Sequence, residues 1–243
     1  MTNAAIAYLN RDWLRHVDGL EALRLGVTEV VYAADDGVLL ASKVRDAVGV
    51  SASDEACAER LLGLVQDMSQ TPEMVVAHDP FSIRLAAEML GMETREMCHQ
   101  CALLPGEEIA PEPLVGFEFR NLEMSDAEFV SEHYTLGLGL EYVSDRIEQG
   151  VMIGAYPLDD RTTMAGFIGV HREGAMGLLE VLPPYRRLGL GESLTWHLIV
   201  QQLRNGNIPF GQIVEGNEAS KAMSGRLGFT ISEPCVAFMH PAA

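Results

Sequence analysis

The stretch with the clearest chemical potential is Glu180-Val-Leu-Pro-Pro-Tyr-Arg-Arg-Leu-Gly-Leu-Gly-Glu-Ser-Leu194. An apolar strand pattern runs into a turn with two arginines, and Gly189-Leu190-Gly191 then opens an apolar helix. This order suits a diphosphate. The first turn of a helix presents unpaired N–H groups and about half a positive charge. Glycines let a ligand come close to the main chain, and Arg186 and Arg187 add charge and forked hydrogen bonds. A second G-x-G, Gly137-Leu-Gly139, lacks a basic pair and reads as an interhelical loop. No third glycine completes a dinucleotide fingerprint, and there is no Walker lysine.

Other reactive residue types lead elsewhere. Cys98-His-Gln-Cys101 has the spacing of a redox pair or of half a zinc site. The surrounding segment 94–104 reads as a strand, on which positions i and i+3 point to opposite faces. No second Cys/His pair of zinc spacing exists, so the cysteines read as small packing residues and no metal is expected. With 35 acidic and 17 basic side chains the formal charge is −18. That charge argues against nucleic-acid or anionic-membrane binding, which need a basic surface. No apolar run approaches the roughly 20 residues of a bilayer span. The first residues lack a signal-peptide pattern, so a cytoplasmic location is expected.

The elements that must hold the Arg–Gly turn can be read around it. Residues 116–122 read as strand and about 126–134 as helix, opened by Ser125 with Glu128 in a capping box. A helix follows at about 140–149, then a hairpin of 151–157 and 163–171, and a strand at 176–182. Next come a helix at about 190–205, a strand at 209–215, a helix at 218–227 and a final strand or hairpin at 229–240. The first half reads as a helix at 10–24, strands at 27–33 and 37–41, a helix at 54–67, a strand at 74–77, a helix at 80–90 and a strand at 93–103. Three prolines and three acids in 103–116 mark a linker. The domains expected are therefore 1–106 and 117–243, joined by 107–116. The halves echo one another: Leu90-Gly91, Glu96 and Cys98 recur as Leu227-Gly228, Glu233 and Cys235, and both sets follow a strand–helix order.

Arg186-Arg-Leu-Gly-Leu-Gly191 resembles the Arg/Gln-x-x-Gly-x-Gly/Ala signature of the GNAT superfamily of N-acetyltransferases. The preceding Leu182-Pro183, the later Asn217-Glu-Ala-Ser220 and Leu227-Gly228-Phe229 are similar to further family features, in the same order. The resemblance covers 117–240. It implies an α/β fold with a mixed, mostly antiparallel sheet whose central strands splay, preceded here by a smaller GNAT-like half. It also implies acetyl-CoA, or another acyl-CoA, as co-substrate. The pyrophosphate is expected on Arg186, Arg187, Leu188, Gly189, Leu190, Gly191, Glu192 and Ser193. The pantetheine is expected along the backbone of Val181 and Leu182, where 176–182 and 209–215 splay, with Asn217 and Ser220 lining its flank. The first half lacks paired glycines and arginines at its equivalent helix start, Ser51-Ala-Ser-Asp-Glu55. Its acids would repel a pyrophosphate, so no CoA is expected there.

Acyl transfer to an amine needs a neutral amine, a polarised carbonyl and a departing thiolate. By the resemblance, backbone N–H near Leu182 would polarise the carbonyl, and Glu180, with Glu215 second, would take the proton. Strand register leaves Glu180 facing either the thioester or solvent. His133, His171 and Glu141 are outside candidates. Many members carry an acidic tyrosine seven residues after the Asn; here that position is Ser224, a poor acid. A thiolate can leave unprotonated because a thiol's pKa is about 8.5. Residues 134–150, with Glu141, Asp145 and Glu148, would cover a small-molecule or peptide amine. A homodimer is compatible with this reading. The alternatives are a non-catalytic acyl-CoA-binding or regulatory protein, and a protein-interaction module.

Overall fold

A computed structural model describes residues 1–104 and 106–242; Pro105, inside the expected linker, and Ala243 lie outside the described residues. In chain order the elements are α1 (Thr2–Leu9), α2 (Val17–Arg24), β1 (Thr28–Ala34), β2 (Gly37–Ser42), β3 (Ala47–Ala52), α3 (Glu55–Gln66), β4 (Met74–Ala77), α4 (Pro80–Leu90) and β5 (Met92–Ala102). They continue with β6 (Phe117–Asn121), α5 (Ala127–His133), α6 (Leu140–Glu148), β7 (Met152–Pro157), β8 (Gly166–Val170), β9 (Met176–Val181), α7 (Leu190–Arg204), β10 (Phe210–Val214), α8 (Glu218–Arg226) and β11 (Thr230–Pro241). The chain forms two compact units. The first holds Met1–Ala102, Phe210–Ala222 and the chain from Thr230 on; the second holds Leu103–Pro209 and Met223–Phe229.

The first unit is built on a seven-stranded sheet of order β1-β2-β3-β4-β11-β5-β10. Among the described residues only β3 and β4 pair in parallel. Helices α3 and α4 start on aspartate caps: Asp54 accepts from the Cys57 N–H and Asp79 from the Ser82 N–H. Such caps are each worth about 1 kcal/mol. The apolar faces of α3 and α4 bury Leu61, Leu62, Val65, Leu85 and Ala86 against β2, β3, β4 and β11. Strand β5 lies between β11 and β10, so the last strand of the first half is flanked by two strands from the second half. Strand β11 is one long strand rather than a hairpin. It stays paired with β5 through register shifts on both sides of Pro234, which has no N–H to donate. Ser232 compensates: its Oγ accepts from the Gln100 N–H (2.9 Å) and its carbonyl from His99 Nδ1 (2.7 Å).

Two expectations fail in this unit. The segment 10–24 is not one helix; α1 ends at Leu9, a 3-10 turn spans Asn10–Asp12, and α2 begins at Val17. At the break His16 reaches back, its Nδ1–H donating to the Leu9 and Asp12 carbonyls (3.2 and 3.0 Å). Strand β3 was not anticipated, because Ala47-Val-Gly-Val-Ser-Ala52 is buried on both faces and lacks a period of two.

The second unit carries an antiparallel sheet of order β6-β7-β8-β9. Alternating side chains build two cores. Met152, Tyr156, Phe167 and Leu178 face Val130, Val143 and Ile147 of α5 and α6. Ile153, Ala155, Ile168 and Val170 face Leu190, Leu194 and Leu198 of α7. Burial of each large side chain is worth about 1.5–3 kcal/mol. The capping box ahead of α5 is formed by Glu123 and Asp126, not by Ser125 and Glu128. The residues after the expected linker start are seated on the Leu-Gly-Phe turn, where Ile109 N–H donates to the Leu227 carbonyl (3.0 Å). Gly228 sits at φ +94°, and a Cβ there would lie 2.2 Å from the Glu107 carbonyl oxygen.

Within the first unit a buried polar cluster joins α2, β3 and the end of β4. Tyr8 and Ser51 hydroxyls meet at 3.3 Å, and Ser51 donates to His16 Nε2 (2.9 Å), because His16 Nδ1 carries the proton given to the carbonyls. Burial, helped by the nearby His78, pushes His16 down to about 4. His78 is shifted the other way. Burial opposes its charge, but the Asp18 carboxylate at 2.9 Å outweighs burial and raises its pKa.

Two outcomes follow. Gly228→Ala is expected to cost about 2 kcal/mol or more, from the strained φ and the clash with Glu107; an unchanged urea midpoint would remove the seating of 107–109 on this turn. For His16, the unfolded chain takes up the proton near pH 6.5 and the folded chain only near 4. Its stabilisation is therefore full above 6.5 and is lost as pH falls toward 4. His16→Asn is expected to flatten the fall of the urea midpoint between pH 7 and 4.5; a slope equal to the parent's would refute a neutral buried His16.

Candidate active site

The Arg–Gly turn leaves β9 at Val181, passes a 3-10 turn at Pro183–Tyr185 and enters α7 at Leu190. Two residues in it take left-handed backbone angles, Arg187 at φ +63° and Gly189 at φ +83°. For an arginine that conformation costs roughly 1–2 kcal/mol. Gly189 is the N-cap and has nothing within 4 Å of where a Cβ would stand. The N–H groups of Arg187, Leu188, Gly189, Leu190, Gly191 and Glu192 donate to no backbone carbonyl among the described residues, whereas Ser193 N–H returns to the Gly189 carbonyl at 3.1 Å. The result is an open row of donors at the positive end of a 15-residue helix. Beside it is a cavity of about 310 Å³ lined by Leu188, Gly189, Glu192 and Ser193 on one side and by 111–114 on the other.

Strand β9 is the edge of its sheet. Leu178 sits at φ +57° where the β8–β9 register shifts, giving β9 an extra residue. Such bulges bend a strand and interrupt its ladder. Leu182 N–H donates to the Ala165 carbonyl (2.9 Å). The Val181 carbonyl accepts from Arg186 Nε (2.8 Å).

The carboxylate of Glu180 points inward, its side chain only 12% exposed. It accepts from Arg186 Nη2 (3.2 Å) and from both the hydroxyl and the N–H of Thr135. Arg186 is thus tied to Glu180 and Val181 at the root of the turn, while Arg187 has no carboxylate within ion-pair range among the described residues. Glu192, an acid in the first turn of α7, is neutralised by Arg226 at 2.7 Å. Thr135 and Arg226 carry no motif and were not anticipated. Arg226 stands one residue before the Leu-Gly-Phe turn, and that is the one hint the sequence offers.

Ser224 is buried, and its carbonyl accepts from the Leu227 and Phe229 amides (3.2 and 3.0 Å). Asn217 and Ser220 meet in the first unit, where Asn217 Oδ1 accepts from the Ser220 N–H (3.1 Å) and so caps α8. Glu215 follows β10 there, its N–H on the Met97 carbonyl (2.8 Å). Of the outside candidates, His133 donates to the Phe129 carbonyl of its own helix and stacks on the Phe129 ring. His171 Nδ1 meets the Tyr142 hydroxyl at 2.8 Å. Asp145 is held by Arg146 and Arg172 (2.7 and 2.9 Å), whereas Glu141 and Glu148 are exposed. Cys98 and Cys101 are separate buried thiols on β5, and burial pushes Cys98 up to about 12. Among the described residues no group of three or more His, Cys, Asp or Glu is placed to hold a metal, and no helix is long and apolar enough to cross a membrane.

The corresponding place in the first half is built differently. Strands β3 and β4 are joined by a parallel ladder that His78 N–H extends to the Val50 carbonyl (3.0 Å), so β3 has no open edge there. The head of α3 is filled by the Asp54 carboxylate.

The sequence model of the FR47-like protein family matches residues 152–236, the span from β7 into β11. No curated protein sequence matches the chain. Among solved structures, a Drosophila protein is 18% identical with a TM-score of 0.69, over 85% of this chain and 74% of its own. A GCN5-related N-acetyltransferase from Kribbella flavida is 14% identical with a TM-score of 0.64, over 95% and 96%. Another from Sphaerobacter thermophilus is 14% identical with a TM-score of 0.58, over 95% and 90%. The edge strand with its bulge, the left-handed turn and the open head of α7 thus sit in a chain that has the GCN5-related N-acetyltransferase fold, preceded by a half built on a degenerate version of the same plan.

Proposed function

We propose that the protein is an acyl-CoA-dependent N-acyltransferase that moves acetyl from acetyl-CoA to a primary amine of a small molecule or peptide. The observation that carries this is the row of unengaged N–H groups from Arg187 to Glu192 at the head of α7, next to the open edge of β9. The pyrophosphate fits that row: Arg187 supplies an unpaired cation, and the Glu192 charge that would oppose it is neutralised by Arg226. The pantetheine would run along the Val181 edge. Glu215, Asn217 and Ser220 belong to the same proposal, Glu215 as the second candidate base and the other two as lining of the cofactor's flank. The domains proposed are a non-binding first half over 1–106, the connection 107–116 and the catalytic half from 117 on.

In the reaction the amine lone pair forms the C–N bond, the C–S bond breaks and sulfur leaves with its electron pair. The proton lost by the amine goes to Glu180, directly or through one water. Glu180 suits this because its carboxylate is inward, oriented by Thr135 and Arg186, and retains unused lone pairs. Ser224, buried and without an acidic proton, favours departure of a free thiolate. The same burial favours a second reading, an acyl-CoA-binding protein without turnover. The two separate on whether thiol appears when an amine panel is added to the acetyl-CoA complex.

Gly191→Glu is expected to abolish CoA binding with the fold intact. A Cβ at Gly191 meets only ordinary contacts at 3.6–4.0 Å, while the new carboxylate repels a pyrophosphate. Calorimetry should give one CoA per chain for the parent and none for the variant; retained binding, or two sites, would sink the assignment. Glu180→Gln is expected to lower kcat/KM by about 10²–10⁴. The deficit should be largest at low pH and shrink as the free amine itself becomes abundant. A uniform deficit across pH would remove Glu180 as the base.

A further inference from the structure

Tyr134-Thr-Leu-Gly-Leu-Gly139 joins α5 to α6. A tight turn opens this loop, with Gly137 N–H on the Tyr134 carbonyl (3.0 Å) and Gly137 at φ +68°. Leu138 packs on the core beneath α5 and α6, and Ser131 Oγ donates to its carbonyl (2.8 Å). Thr135 and Leu136 stand exposed, Leu136 at 78%. The tip is thus a short turn on a glycine hinge. From it Thr135 reaches across to β9 and gives both its hydroxyl and its N–H (3.3 Å) to Oε2 of Glu180.

Those two bonds fix more than direction. Each carboxylate oxygen has two lone pairs. Thr135 takes both on Oε2, and Arg186 Nη2 takes one on Oε1 (3.2 Å). Among the described residues one lone pair is left, and it is on Oε1. With the turn seated, a proton arriving from the amine has that one place to land. With the turn lifted, the carboxylate keeps only Arg186, a long and largely exposed side chain, and its aim is lost.

We propose that Thr135 is a positioning residue for the base and that the 134–139 turn is a latch: Glu180 is aimed, with Oε1 open, only while the turn is seated. This rests on the reading of Glu180 as the base. In the step itself an N–H bond of the amine breaks and an O–H bond forms on Oε1, while Thr135 keeps its own proton. The cradle at the head of α7 makes no use of Thr135, so the latch governs transfer and not cofactor affinity.

The assay is thiol release from acetyl-CoA with whichever amine of the panel turns over fastest. Thr135→Val keeps the side chain's size and removes the hydroxyl at an exposed position. It is expected to lower kcat/KM for the amine about tenfold and to leave CoA affinity by calorimetry unchanged, and Thr135→Ser should restore most of the rate. In Gly137→Ala the added Cβ meets nothing within 4 Å, so only the positive φ is strained. That variant should unseat the turn and lower kcat/KM about fivefold. Placed in Glu180→Gln, neither substitution should lower the rate further, since both act through that carboxylate. A parent-like rate in Thr135→Val, a Thr135→Ser as slow as the valine variant, or additive losses in the Glu180→Gln background would overturn the latch and leave the acyl-transfer reading standing. No thiol from the parent with any amine, or Glu180→Gln at the parent's rate, would remove the reading of Glu180 as base and the latch with it.

Discussion

The pairing of β5 with β11 is the constraint on which the rest of the first unit depends. These two strands, the last of each half of the sequence, run antiparallel for their full length. Each lies between two strands of the other half: β11 between β4 and β5, and β5 between β11 and β10. Pairings between residues more than a hundred positions apart therefore build the sheet from its central strand β4 out to the edge at β10. The proline in β11 does not interrupt it, since Ser232 replaces the ladder bonds with side-chain and carbonyl bonds of its own.

The two halves show how one plan of strand, helix and strand can be open or closed to an anion. In the second half the strand is an edge, the turn is left-handed at two residues and the first helical N–H groups are unengaged. In the first half the equivalent strand is laddered to its neighbour, an aspartate occupies the helix head, and a Tyr8–Ser51–His16 chain with a His78–Asp18 pair fills the space beside them. The difference is electrostatic as much as steric. One helix start keeps its dipole available, and the other satisfies it internally.

Much of this was legible in the sequence, for identifiable reasons. The helices over 54–67, 80–90 and 190–205 were readable because aspartate or glycine caps bracket an apolar stripe. The cradle was readable because glycines and arginines stand together after a strand. What escaped depends on contacts distant in sequence. Strand β3 is buried on both faces and has no alternation. At the break between α1 and α2 a histidine reaches back to two carbonyls. The inward turn of Glu180 depends on Thr135, 45 residues earlier, and the neutralisation of Glu192 on Arg226, 34 residues later. No local pattern encodes such pairs.

The exchange of closing strands also bears on how such a molecule can change over time. A repeat whose members keep their strands to themselves can lose one member and leave the other whole. Here, deleting either half would pull a strand out of the survivor's interior and leave raw, unpaired backbone on both sides of the gap. The first half is indispensable as structure, whatever chemistry either half performs, because β5 stands between the second half's β10 and β11.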